Sequence, residues 1–229
     1  MIEKFQTDIY QNFIKDDRWK YIVSGLGNTL RITFFAVLVG ILLGFLVAVI
    51  RSTCEKTGKL KLLDFLCKVY LTVIRGTPVV IQLLIIYFVV FGSLRIDKIL
   101  ASVLAFGINS GAYVAEIFRG GIMSIDSGQF EAGRSLGFNY SKTMFYIIMP
   151  QAFKNVLPAL GNEFIVLLKE TSVAGYIAVQ DLTKGSDIIR SRTYNALPLM
   201  AAAAIYLVLV MIFTYFVQRL ERRLRNSDH

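Results

Sequence analysis

The chain has 229 residues, 55% of them hydrophobic and only 18% charged, with a mean hydropathy of +0.57. A soluble domain of this size needs about 25% charged residues to clothe its surface, so lipid must cover much of this exterior. The formal charge of +9 does not point to nucleic acid, because the basic residues flank apolar runs, where they orient helices and meet anionic membrane lipid.

Residues 1–24 read as an N-terminal interfacial segment. Glu3, Lys4, Asp8, Lys15, Asp16, Asp17, Arg18 and Lys20 leave no central apolar stretch, so no signal peptide is expected. Ile9, Tyr10, Phe13, Ile14, Trp19, Tyr21 and Ile22 interleave with these charges, which suits an amphipathic segment held at the membrane surface by Trp and Tyr. A helix needs about 20 apolar residues to cross the hydrocarbon core. The first such run covers residues 26–50 and is closed by Arg51. A second covers 62–91 but is interrupted by Arg75-Gly76-Thr77-Pro78, where proline removes a backbone donor and glycine relaxes the chain, so a helix break is predicted. The third, 99–118, carries Asn109, Ser110 and Glu116; the fourth, 156–179, is the most polar; the fifth, 197–217, is clean. The fold class is therefore all-α: five transmembrane helices within a domain over 25–218, then a basic tail over 219–229.

Lys and Arg near the ends of the runs set the orientation. Arg51, Lys56, Lys59, Lys61 and Lys68 follow the first run, and Arg219, Arg222, Arg223 and Arg225 follow the fifth. Arg119, Arg134, Lys142 and Lys154 lie between the third and fourth. These regions are expected to face the cytoplasm, which puts the N-terminus outside and the C-terminus inside. Cys54 and Cys67 lie in or beside the first of them, so no disulfide is expected. The single His229 is terminal, which leaves almost no material for a zinc site or histidine acid–base chemistry.

The connector over 124–155 is too polar to span. Asp126 followed by Gln129 resembles a capping box, Phe130, Ala132 and Leu136 supply a short apolar face, and Gly137 falls where a left-handed helix stop belongs. Ser141 can start a second helix through Met149, interrupted at Pro150. On pattern alone this is an amphipathic connector lying on the cytoplasmic surface.

Its residues say more. Glu131-Ala132-Gly133, Gly137 after three further residues, and Ile147-Ile148-Met149-Pro150 after nine more resemble the EAA loop of ABC importer permeases, whose pattern is E-A-A, three residues, G, nine residues, I-x-L-P. Gly133 replaces the third-position alanine and Met149 the leucine. The runs Arg75–Gln82, Asn109–Gly121 and Leu167–Ser172 are similar to the polar amino acid permeases in particular, the histidine/glutamate/glutamine/arginine type. This resemblance implies the type I importer permease fold in a bacterial cytoplasmic membrane. It implies that the loop forms a coupling helix seated in a cleft of an ABC ATPase subunit, with Asp126, Glu131, Ala132, Gly133, Gly137, Ile147 and Pro150 serving that coupling. It further implies a second permease, either another copy or a related chain, and an extracytoplasmic amino-acid-binding protein. The chain has no G-x-x-x-x-G-K-[ST] motif of its own; Gly58-Lys59-Leu60 lacks both the hydroxyl residue and the upstream glycine. It is thus expected to be no enzyme and to bind no cofactor, with ATP and Mg in the partner ATPase.

Ionisable groups within a membrane cost about 2.5–3.5 kcal/mol on insertion scales and usually face an interior cavity. Asn162 and Lys169 are seven residues apart, as are Glu163 and Glu170, so they form one adjoining polar stripe. An amino-acid ligand presents an ammonium that Glu163 could hold, while Asn109, Ser110, Asn162, Thr171 and Ser172 offer neutral partners and Thr77 lies where the broken backbone opens. Structural roles compete with these: Lys169 and Glu170 at a membrane boundary, Glu116 paired with Arg119, Asn109 and Ser110 fastening helices together. The rival function is a channel or ion-coupled secondary transporter, which would work without an ATPase.

Overall fold

A computed structural model describes residues 2–225, which contain helices and connections and no strand. The end of the expected basic tail, residues 226–229 with the single histidine, lies outside the described residues. A short helix α1 (Ile2–Ile9) leads through a π turn (Tyr10–Ile14) and a 3-10 turn (Lys15–Asp17) into α2 (Trp19–Thr57). Asp16 and Asp17 take left-handed conformations (φ 56° and 53°), which aspartate tolerates better than most residues, and so turn the corner. Ion pairs from Arg18 to Asp16 at 3.0 Å and from Lys20 to Asp17 at 2.6 Å hold it. The first long helix therefore starts at Trp19, seven residues before the apolar run expected at 26, because nothing between Trp19 and Gly25 interrupts the helical ladder.

Gly58 (φ 67°) stops α2, and α3 (Lys61–Arg75) begins at once, so Cys54 and Cys67 both lie in helices, as free thiols. After Gly76-Thr77-Pro78 come α4 (Val79–Ile85) and a π turn (Ile86–Val90). The expected break is there: α3 and the segment after it pass together as one candidate span, bent by 111°. Helix α5 (Lys98–Met123) follows, capped by the Asp97 carboxylate. Then come α6 (Ser127–Ser135), α7 (Tyr140–Thr143) with a π turn (Met144–Ile148), α8 (Met149–Glu170), α9 (Leu182–Thr193) and α10 (Leu197–Arg225). Helices α2, α5 and α10 are each long and apolar enough to cross a membrane.

The predicted fourth span is displaced, and its helix is not among those long and apolar enough to count as a span, so four of the five expected spans are found among the described residues. Its helix, α8, starts at Met149 and ends at Glu170; residues Thr171–Ile177 tighten into a 3-10 turn, and Ala178 (φ 58°) reverses the chain. The buried Thr171 hydroxyl donates to the Leu168 carbonyl at 2.9 Å, satisfying a backbone acceptor where the helix ends.

The core forms where α2 and α5 run parallel at close approach. A Cβ on Gly44 would stand 2.6 Å from Val114 Cγ1, and one on Gly107 2.6 Å from Val39 Cγ1, so glycine is what allows the two backbones to meet. Ile32, Ala36, Phe106 and Leu167 are wholly buried around this contact. Helix α8 packs antiparallel to α5, and α10 lies outside α8, with Val217 against Gly161 and Phe213 edge-on to Phe164. Met200, Leu207, Val208, Met211 and Ile212 on α10 are exposed, a surface suited to lipid. The bundle thus has two ends: a loop end, where α6 and α7 lie, and a far end. At the far end the stretch before α9 packs on the start of α2: Asn28 donates to the Gln180 carbonyl at 2.9 Å and the Leu182 amide to the Thr29 hydroxyl at 3.1 Å.

Candidate functional site

Midway along α5 the chain turns two consecutive polar side chains in different directions. Ser110, wholly buried, donates to Glu163 Oε1 on α8 at 2.7 Å. Asn109, also buried, donates to Gln82 Oε1 at 2.9 Å. Gln82 Nε2 then donates to the Ile74 carbonyl (2.7 Å), the Thr77 carbonyl (2.9 Å) and the Thr77 hydroxyl (2.8 Å), and that hydroxyl donates to the Val73 carbonyl at 2.8 Å. The carbonyls freed at the Gly76–Pro78 break thus find a side-chain donor, as a non-aqueous interior demands. Gln82 is the residue that sequence reasoning passed over. Its place four residues after Pro78, among apolar neighbours, was the available signal.

Of the seven candidate substrate residues, Ser110 and Glu163 therefore meet directly, and Asn109 and Thr77 meet through Gln82. Asn162 is exposed on α8 and shares an open face with Val166 and Lys169. Thr171 is spent on the end of its helix. Ser172 stands apart at the far end, in a cleft of about 450 Å3 shared with Lys169, Thr183 and Tyr206.

Toward the loop end, Glu116 gathers cations. Arg119 Nη2 lies 3.1 Å from its carboxylate, the ion pair expected from the helical spacing. Arg51 of α2 at 3.3 Å and Arg75 of α3 at 3.8 Å join from other helices, which local spacing could not reveal. Asp64 continues the cluster, 3.6 Å from Arg51 and 2.7 Å from Lys68. Arg75 also lies over the Tyr113 ring, 5.9 Å from its centroid.

The connector forms the predicted helix, glycine turn and helix, with corrections. Asp126 caps α6 by accepting from the Gly128 amide at 2.6 Å, but Gln129 reaches toward Gln151 instead of closing a capping box. Gly137 is left-handed (φ 77°), and the Gly137 amide donates to the Arg134 carbonyl and that of Phe138 to the Gly133 carbonyl. The inward face of α6 is half-buried Phe130 with buried Gly133, not Phe130 with Ala132 and Leu136. Phe130 stacks on Tyr140 at 6.2 Å, whereas Ala132 and Leu136, four residues apart on another face, are exposed. A Cβ on Gly133 would stand 2.5 Å from Thr143 Cγ2, so the glycine in place of alanine matches a threonine pressed against it. Asn139, not Ser141, starts the second helix, accepting from the Lys142 amide at 2.9 Å. Pro150 does not interrupt it. The π turn Met144–Ile148 widens the ladder just before the residue that lacks an amide hydrogen, and the chain runs on helically to Glu170. Glu131 and Arg134 are exposed beside a cleft of about 500 Å3 that also includes Phe138 and Asn139.

Comparison with known proteins gives a consistent family. Residues 25–226 match the model of the binding-protein-dependent transport system inner membrane component. The chain is 40% identical over 211 residues to the arginine transport system permease protein ArtQ of Bacillus subtilis (strain 168), covering 91% of this chain and 94% of that protein. It is 37% identical over 208 residues to the glutamine transport system permease protein GlnP of Escherichia coli (strain K12), covering 89% and 93%. A crystal structure of an amino acid ABC transporter with histidines superposes with a TM-score of 0.81 at 45% identity over 89% of this chain and 94% of that one. An inward-facing structure of the MetNI methionine ABC transporter superposes at 0.77, but with 19% identity it shares the fold alone.

Proposed function

The chain belongs to the family of binding-protein-dependent transport system inner membrane components, and on that premise we propose that it is the permease subunit of an ATP-driven importer for polar or basic amino acids. Two such subunits, identical or related, enclose the pathway; a separate ABC ATPase holds ATP and Mg and drives it; an extracytoplasmic binding protein delivers the ligand. The relatives' names, arginine and glutamine permeases, support the substrate class. Glu163 suits an ammonium or a basic side chain, with Ser110 setting the carboxylate's orientation.

The observation that carries the coupling role is α6, a short helix at the loop end, packed on α7 through Phe130 and Gly133 while Glu131, Ala132, Ser135 and Leu136 remain exposed. Such a surface suits docking into an ATPase, and the basic residues gathered at the same end suit the cytoplasmic face, with the N-terminus outside.

The test is reconstitution with the ATPase and binding protein in liposomes. Uptake of labelled L-arginine or L-glutamine is expected to require ATP. Glu131→Lys and Gly137→Val are expected to lower uptake at least tenfold while ATP hydrolysis continues. Coupled uptake that survives both substitutions, or uptake without any ATPase, would overturn the proposal.

A further inference from the structure

Between the ends of α2 and α5 and the underside of α6 and α7 lies a cleft of about 310 Å3 that the pathway reading leaves without a role. Ile122, Ile125 and Met144 make its apolar wall; Ser52, Glu55, Arg119 and Tyr140 bring polar groups to it. Arg119 uses Nε and Nη2 on Glu116, both at 3.1 Å, but Nη1 meets only the Met123 sulfur at 3.1 Å, a weak acceptor. Glu55 is exposed and makes no hydrogen bond or ion pair among the described residues. The Ser52 and Tyr140 hydroxyls stand 3.4 Å apart, close enough to share a hydrogen bond. An under-used guanidinium donor, an unengaged carboxylate, paired hydroxyls and an apolar wall are the complement of a zwitterion with a side chain. The volume falls at the lower end of the roughly 300–1,000 Å3 typical of small-molecule sites.

We infer that this cleft binds a free amino acid from the compartment into which product is released, its carboxylate on Arg119 and its ammonium on Glu55. The choice of ligand and compartment rests on the proposed function. The cleft's floor belongs to α2 and α5 and its roof to α6 and α7, so an occupant joins the coupling helix to the bundle. A ligand that binds one arrangement of that roof better than another shifts the balance between them. Accumulated product thereby slows further import at a site distinct from Glu163.

The experiment uses the complete importer in liposomes, with loaded binding protein outside and L-arginine, L-glutamine or their methyl esters sealed inside. The amino acid is expected to inhibit uptake and its ester, which lacks the carboxylate charge, to inhibit weakly. Glu55→Gln is expected to raise the internal concentration for half-inhibition about tenfold, the loss of one charged hydrogen bond, while Glu163→Gln leaves that inhibition in place when uptake is scaled to its own uninhibited rate. Arg119→Gln is expected to abolish the preference for the amino acid over its ester; Arg119→Lys is expected to retain it. Unchanged inhibition in Glu55→Gln, or inhibition lost only in Glu163→Gln, overturns the inference and leaves the transport reading standing. A phosphatidylethanolamine headgroup offers the same paired charges. If Glu55→Gln alters uptake only in liposomes containing that lipid, and internal amino acid has no effect, the cleft is a lipid site and the inference fails. If neither amino acid is taken up, the transport reading fails instead, and labelled L-arginine and L-glutamine binding to the solubilised complex, weakened or not by Glu55→Gln, decides the cleft by itself.

Discussion

Replacing Glu163 by glutamine separates a ligand contact from a structural acceptor. In the folded protein the Glu163 carboxylate accepts from a wholly buried Ser110 hydroxyl at 2.7 Å. The glutamine carbonyl can still accept that bond, so the fold loses only the difference between a charge-assisted and a neutral hydrogen bond, about 1 kcal/mol. A ligand ammonium or guanidinium loses its charged partner altogether, about 1.5–3 kcal/mol, which is roughly a 10- to 150-fold weaker affinity. Ser110→Ala supplies the contrast: it removes the orienting donor, costs about 1 kcal/mol of stability, and leaves the carboxylate charge for the ligand. The assay is binding of labelled L-arginine to the nucleotide-free permease–ATPase complex, beside thermal unfolding of each variant. The expected result is a large loss of affinity with a small loss of stability for Glu163→Gln, and a smaller loss of affinity for Ser110→Ala. Equal falls in melting temperature for the two variants with wild-type affinity in both would make Glu163 a helix fastener and refute the assignment.

Gln82→Leu strands the buried Asn109 and the carbonyls at the helix break and is expected to cost about 1–3 kcal/mol in thermal unfolding, part of it recovered when Asn109→Leu removes the other partner as well. Glu116→Gln leaves Arg119 without its carboxylate and Arg51 with Asp64 alone; a loss of about 1–3 kcal/mol is expected, and Arg119→Gln in the same background should add little, because the two are coupled. Gly133→Ala restores the family's alanine but places its methyl against Thr143, so loss of coupled uptake is expected from the single variant and recovery from Gly133→Ala with Thr143→Ala.

Local rules made much of this molecule legible. The first, second, third and fifth apolar runs, the Gly-Thr-Pro interruption and the left-handed Gly137 each depend on a few adjacent residues, and each occurs close to where the pattern put it, whereas the polar fourth run does not. What was missed depends on contacts between distant segments. Nothing near Gln82 in the chain announces that it faces Asn109, 27 positions away, or that Arg51 reaches Glu116 across 65. The face of α6 was misjudged for the same reason. Ala132 and Leu136 are apolar, but the inward contacts went to half-buried Phe130 and buried Gly133, whose partners Tyr140 and Thr143 come from the next helix. The Pro150 stop failed because a π turn one residue earlier absorbs the missing donor, an adjustment that propensity alone does not encode.

The connectivity around α6 constrains how a push at the loop end can reach the polar residues. Helix α6 is tethered on one side to α5, which carries Ser110, and on the other through α7 to α8, which carries Glu163. Ser110 and Glu163 are each 13 residues from their loop-end landmarks, Met123 and Pro150, or about 20 Å of helix at 1.5 Å per residue. Near the loop end Asn155 donates to the Ser124 hydroxyl at 2.8 Å, and midway Ser110 donates to Glu163, so α5 and α8 are joined at two heights. Two elements pinned twice along their length tilt together more readily than they part. On the proposed function, alternating access therefore does not open a gap between Ser110 and Glu163. It moves the pair as one body and changes what lies opposite the exposed face of α8 that carries Asn162 and Val166.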